Sequence, residues 1–155
     1  MVLSLSLESE QIAEIAKYYQ DIDDRTRDLQ PIARELGEIQ REELVLRFLS
    51  APATQTGGVV HGDVYWNRLS DWYLNQVPRR KEGQIMIDSQ KLKTDATTPG
   101  AGNTSRFENG QYSFSINTYY AQKQDKVRSL LFWSDGLLRK TEEAIVGYIL
   151  TGDSF

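Results

Sequence analysis

The sequence predicts an α+β fold: an antiparallel β-sheet packed with a long helix in the N-terminal half and a C-terminal helix, with two long flexible loops. Three observations point there. Between Leu29 and Leu49 the apolar residues Ile32, Leu36, Ile39, Leu46 and Leu49 recur at helical spacing, and Ala33, Val45 and Phe48 widen the stripe. Asn109 and Gly110 separate "SRFE" from "QYSFSIN", where Tyr112, Phe114 and Ile116 alternate with polar residues; an Asn-Gly pair between alternating runs is a strong hairpin signal. Helical patterns at both ends of the extended segments fit α+β rather than a parallel α/β arrangement.

The elements follow in order. Val2, Leu3, Leu5 and Leu7 predict a short first strand by their near period of two. Ser9 then caps a short amphipathic helix through Ile12, Ile15, Ala16 and Tyr19, which the polar stretch "DIDDRTRD" interrupts. Asp28 caps the long second helix, with Pro31 in its first turn. "SAPATQTGGVVHGD" reads as a loop by composition. Trp66, Leu69, Trp72 and Tyr73, at spacings of three and four, predict a short helix that Pro78 ends, and "RRKEG" is the next turn. "QIMIDSQKLKT" reads as extended around Ile85, Ile87 and Leu92, and "ATTPGAGNTS" as the second loop. After the hairpin, residues 127–133 predict a third strand of its sheet. Ser134 or Asp135 caps a last helix, with Leu138, Thr141, Ile145, Tyr148 and Ile149 on one face.

At 155 residues the chain is expected to form one domain over residues 1–155, with one core. A net charge of −4 argues against a general nucleic-acid binder. With no cysteine there is no disulfide, no thiolate metal site and no cysteine nucleophile, and one histidine excludes a site built on two imidazoles. No apolar run approaches the roughly 20 residues that span a bilayer, and "MVLSLSLESE" has no basic leader, so synthesis in the cytoplasm without a membrane stage is expected.

Candidate chemistry is sparse. The pairs Asp23 with Asp24, Glu42 with Glu43, and Glu142 with Glu143 are neighbours on helices, where adjacent side chains diverge, so solvated faces are expected. His61 and Asp63 outline a dyad, and a small hydrolase built on them is an alternative, but no nucleophile elbow accompanies them. Gly57, Gly58, Gly62, Gly100 and Gly102 match no phosphate-binding pattern, and "DIDD" lacks the remaining ligands of a calcium loop. Arg79, Arg80 and Lys81 beside Trp72 and Tyr73 could bind a single strand, though on an acidic chain a solvated turn is expected, with Trp66 and Trp72 in the core. The residues thus predict no catalytic site, no cofactor and no metal. One polar knob, Gln122, Lys123, Gln124, Asp125, Lys126 and Arg128, stands between Tyr119, Tyr120 and the apolar run Leu130, Leu131, Phe132 and Trp133.

In their order, "LVLRFLSAP", "WNRLS", "PRRKEGQIMIDSQKL", "SRFENGQYSFSIN", "YYAQKQ" and "VRSLLFWSD" resemble the phage virion-morphogenesis family of tail-completion and neck proteins, which act at the head-tail junction of tailed bacteriophages. The likeness covers roughly residues 28–150 and rests on Trp66, Leu69, Ser70, a Ser89 to Leu92 element, Tyr120, Ala121, Gln124, Ser134 and Asp135. Lys123 stands where that family often has His, Asp125 and Gln90 where it has Gly, and Ser129 where it has Pro. The resemblance implies a non-enzymatic structural protein of the virion neck, forming a homo-oligomeric ring, commonly of six copies. Its partners would be head-connector and tail-tube or terminator proteins, with DNA passing through the lumen without specific binding. A head-closure role is the near alternative. The knob residues Gln122, Lys123, Gln124, Lys126 and Arg128, with Arg79 and Arg80, are then the expected subunit contacts.

Overall fold

A computed structural model describes residues 9–88, 90–119 and 121–153. The strand expected at residues 2–7 lies outside the described residues, as do Ser89 and Tyr120. Six α-helices and two antiparallel two-stranded sheets make up the described fold, which is α+β. No helix among the described residues is long and apolar enough to cross a membrane.

Helix α1 (Ser9–Arg27) runs unbroken to Arg27 through all of "DIDDRTRD" but its last residue, where the sequence predicts an interruption, and Ser9 is itself helical. The polar residues interrupt the apolar stripe and not the helix. They support it through contacts at helical spacing: Arg27 pairs with Asp23 at 2.7 Å, and Gln20 Nε2 donates to Asp24 Oδ1 at 3.1 Å. The Asp28 carboxylate then accepts from the Gln30 N–H at 3.1 Å and starts a 3₁₀ turn, Gln30–Ile32, carrying Pro31. Helix α2 (Ala33–Leu49) follows as expected.

The first predicted loop is largely organised. It contains strand β1 (Gly58–Val60), which pairs with β2 (Val64–Trp66) from Gly58 opposite Trp66 to Val60 opposite Val64. Strands of three residues are too short to show alternation, so composition hid them. Upstream, buried Thr54 donates its hydroxyl to the Arg80 carbonyl, and its N–H bonds the Gly83 carbonyl at 3.0 Å.

Trp66 lies on β2 and is fully buried, not on a helix with Trp72. Helix α3 (Asp71–Gln76) starts only after Ser70, whose hydroxyl accepts from the Tyr73 N–H. This start turns Trp72 outward, to 72% exposure, where the sequence predicts a core residue. A 3₁₀ turn, Pro78–Arg80, comes next, and Gln84 makes isolated bridges to Ala53 and Ile87. The segment around Leu92 is helical rather than extended: α4 (Lys91–Thr97) buries Leu92 and Ala96, one turn apart, on one face. The second loop shrinks to residues 98–102. Buried Asn103 clamps its ends, its Nδ2 donating to the carbonyls of Asp95 at 2.7 Å and Thr98 at 2.8 Å.

Strands β3 (Asn103–Glu108) and β4 (Gln111–Ile116) form the predicted hairpin, with Asn109 at φ 52° and Gly110 at φ 73° in its turn. Gly37 of α2 permits the hairpin's close approach, since a Cβ there would collide with Ser105, which donates to the Ala33 carbonyl at 3.0 Å. The expected third strand does not form. Helix α5 (Ala121–Val127) holds the knob, and residues 128–134 run irregularly because side chains take their backbone groups. Trp66 Nε1 donates to the Ser129 carbonyl, Arg47 to those of Leu130 and Phe132, and Asp125 Oδ1 accepts from the N–H groups of Leu130 and Leu131. A backbone so engaged has nothing left for a ladder.

Helix α6 (Asp135–Thr151) is capped as predicted, the Ser134 hydroxyl accepting from the Leu137 N–H at 3.2 Å. Leu137, not Leu138, is its buried leucine. Buried side chains gather in two clusters rather than one, and α2 serves both. Leu36 meets Ile32 and Tyr148 in one, while Leu44 and Phe48 meet Trp66, Ile85, Leu92 and Leu130 in the other.

Candidate functional cleft

Helices α3, α4 and α5 surround a cleft of about 710 Å³. It brings together two clusters the sequence singled out, since Gln124 and Arg128 of the knob and Arg80 of the basic turn all line it. Leu69, Met86, Leu92 and Val127 give it apolar surface, and Trp72 and Tyr73 stand at its aromatic side. The α3 start at Ser70 is what aims these two rings at the cleft.

The expected contact residues separate into two kinds. Arg80 is buried; its guanidinium donates to the carbonyls of Ile87 at 2.6 Å and Gln84 at 2.9 Å, clasping the turn it belongs to. Arg128 likewise reaches the carbonyls of Asn67 at 2.9 Å and Arg68 at 3.3 Å, stitching the end of α5 to the α3 approach, and burial lowers its pKa. Both cations hold the cleft's frame instead of standing free. Asp125 is also internal work, the cap for residues 130 and 131 described above.

Gln122, Lys123 and Lys126 are exposed on α5, and Gln124 is half-buried on the cleft wall. Arg79 is exposed and pairs with Asp88 at 3.0 Å. Arg68 of the cleft lining forms a two-pronged bridge to Asp71 of 2.8 and 3.1 Å; this hydrogen bond lowers the Asp71 carboxyl below the usual aspartate value and raises Arg68. With Arg80 and Arg128 engaged by backbone carbonyls, the cleft offers an apolar and aromatic surface within a polar rim. Such a surface suits side chains of a partner more than a charged metabolite.

A second constellation escaped the sequence reading. Glu43, expected on a solvated face, is 2% exposed and sits beside the fully buried Arg47. Arg47 Nη2 reaches Glu43 Oε1 at 3.1 Å and the Phe132 carbonyl at 3.0 Å, Nη1 reaches the Leu130 carbonyl at 2.7 Å, and the guanidinium lies 3.6 Å from the Phe132 ring centroid. Burial lowers the Arg47 pKa and the Glu43 charge opposes that shift. The available signal was the spacing: Gln40, Glu43 and Arg47 fall on the same face as Leu36, Leu44 and Phe48.

His61 joins this cluster instead of pairing with Asp63. Its Nε2 lies 3.2 Å from Glu43 Oε2, and the Ser134 hydroxyl donates to Glu43 Oε1 at 3.1 Å. The hydroxyl and the imidazole thus meet the same carboxylate and not each other, so the serine's hydrogen-bond acceptor is Glu43 and not His61. What the cluster does is tie α2 to the β1–β2 turn and to the cap of α6. Among the described residues no group of three His, Cys, Asp or Glu could hold a metal ion. Comparison with family models, with curated proteins and with solved structures finds no match to the chain.

Proposed function

We propose that this chain is a structural virion protein of the phage neck or tail, a tail-completion or tail-terminator component whose ring joins the tail to the head connector. The observation that carries the reading is the cleft with its surroundings. Trp72 at 72%, Val127 at 60% and Tyr119 at 89% exposure lie on or next to segments that also carry the free cations Lys123 and Lys126. Exposed apolar residues gathered within a polar rim mark surfaces that other proteins cover. Gln90 lends support from the backbone: it has φ 63°, in the left-handed region that favours glycine, at the position where the resembling family usually has one. In this role the protein does no chemistry of its own. It supplies a homo-oligomeric ring, of six copies by resemblance, between head-connector and tail proteins, with DNA crossing the lumen without specific contacts.

Deleting the gene from its phage tests the reading. Heads and tails should then accumulate unjoined, and adding the purified chain to the two fractions should restore joined particles. Normally joined particles in the deletion lysate, or particles from the parent phage that do not contain the chain, overturn it.

A further inference from the structure

We infer that helix α1 of one copy docks its apolar stripe into the α3–α4–α5 cleft of the neighbouring copy, so that subunits associate head to tail. The inference rests on the ring reading above and names its contact. Helix α1 has 19 residues, none of them buried. Ile12 (53%), Ile15 (45%) and Tyr19 (65%) are exposed and, with half-buried Ile22, recur at intervals of three, four and three along one face. Among the described residues α1 is met by α6, where Arg25 reaches the Tyr148 carbonyl at 3.5 Å, and Ile12, Ile15 and Tyr19 stay exposed. An amphipathic helix of this length with no buried residue has a partner still to find.

Charge selects the occupant. Helix α1 carries five carboxylates and three basic side chains. The cleft is lined by Arg68, Arg80 and Arg128 against Asp88, and Lys123 and Lys126 stand exposed on α5, the helix that supplies Gln124 to its wall. The helix is net acidic and the cleft net basic, so the two attract and the approach is steered. A second α1 would instead bring like net charge against like. Because the stripe and the cleft are different patches of one chain, their contact is heterologous and propagates from copy to copy, closing where the rotation allows.

The absence of cysteine makes the test clean. Ile15→Cys and Val127→Cys each alter an exposed side chain and leave the fold's interior intact. Treated with a short bismaleimide, an equimolar mixture should give covalent dimer at least tenfold above either variant alone. A chain carrying both substitutions should give a ladder ending at the copy number of the ring. Ile15→Cys that cross-links equally well by itself overturns the inference in favour of α1 pairing with α1. No cross-link from the mixture overturns it as well, and the unmodified chain's mass then separates the two readings. An oligomer keeps the ring and discards the docked helix; a monomer both in solution and in isolated tails discards the ring too.

Discussion

Arg47 is the side chain on which most of the tertiary structure converges. One guanidinium reaches Glu43 and the Leu130 carbonyl away from water and the Phe132 carbonyl at a part-buried site. Removing one partner of a buried pair leaves the other charge uncompensated, at a cost of roughly 3–5 kcal/mol. Arg47→Ala is therefore expected to lower the urea midpoint by that equivalent, while His61→Ala costs under about 1 kcal/mol because Glu43 keeps Arg47 and Ser134. Equilibrium denaturation of both variants checks the difference. Tyr112 is the opposite case. Its hydroxyl is buried with no hydrogen-bond partner among the described residues, and burial raises its pKa well above the usual tyrosine value. Tyr112→Phe removes an unpaired polar atom and keeps the ring that packs against Phe107, so stability should hold or rise by about 1 kcal/mol. A fall in melting temperature would show that the hydroxyl has a partner after all.

At the scale of elements, one carboxylate ties α4 to the segment that follows β4. Lys91 Nζ donates to Asp95 Oδ2 at 2.8 Å, and the Thr118 hydroxyl donates to the same oxygen. The Lys91 bond first, and that of Thr118 second, hold the Asp95 carboxyl below the usual aspartate range. A carboxyl whose folded pKa is depressed contributes stability above its unfolded value of about 3.9, and loses it as pH falls through the folded value. The native chain should thus lose stability below about pH 5 more steeply than Asp95→Asn does. Denaturant midpoints measured from pH 6 to pH 3 compare the two slopes; parallel slopes would remove Asp95 from the account. The β3–β4 hairpin needs no such help, since Asn109 and Gly110 supply both positive φ angles locally.

For the whole molecule, the exposed cations of α5 separate folding from assembly. Lys123 and Lys126 are exposed. Lys123→Glu with Lys126→Glu should keep the melting temperature within about 1 °C, as surface changes usually do. The same variant is expected to lose head-tail joining, and native joining should weaken as salt rises, because rim charges orient association and are screened. Full joining by the double variant would place α5 outside the contact.

Several features were legible without tertiary contacts: α2 from its stripe, the β3–β4 hairpin from Asn109 and Gly110, and the start of α6 from Ser134. Each is set by neighbours in the chain, through apolar period, turn geometry or a cap, so local physics is enough. The β1–β2 hairpin, the coil after α5 and the burial of Glu43 were decided elsewhere. Trp66, Arg47 and Asp125 claim the backbone of residues 129–132 and leave an apolar run that reads as a strand without a ladder to join. Glu43 reads as surface by charge and becomes interior only because Arg47, Ser134 and His61, at separations of 4, 91 and 18 residues along the chain, converge on its carboxylate. The cleft is of the same kind: Trp72, Arg80, Leu92 and Arg128 become its walls only when three helices meet, and no spacing along the chain encodes that meeting.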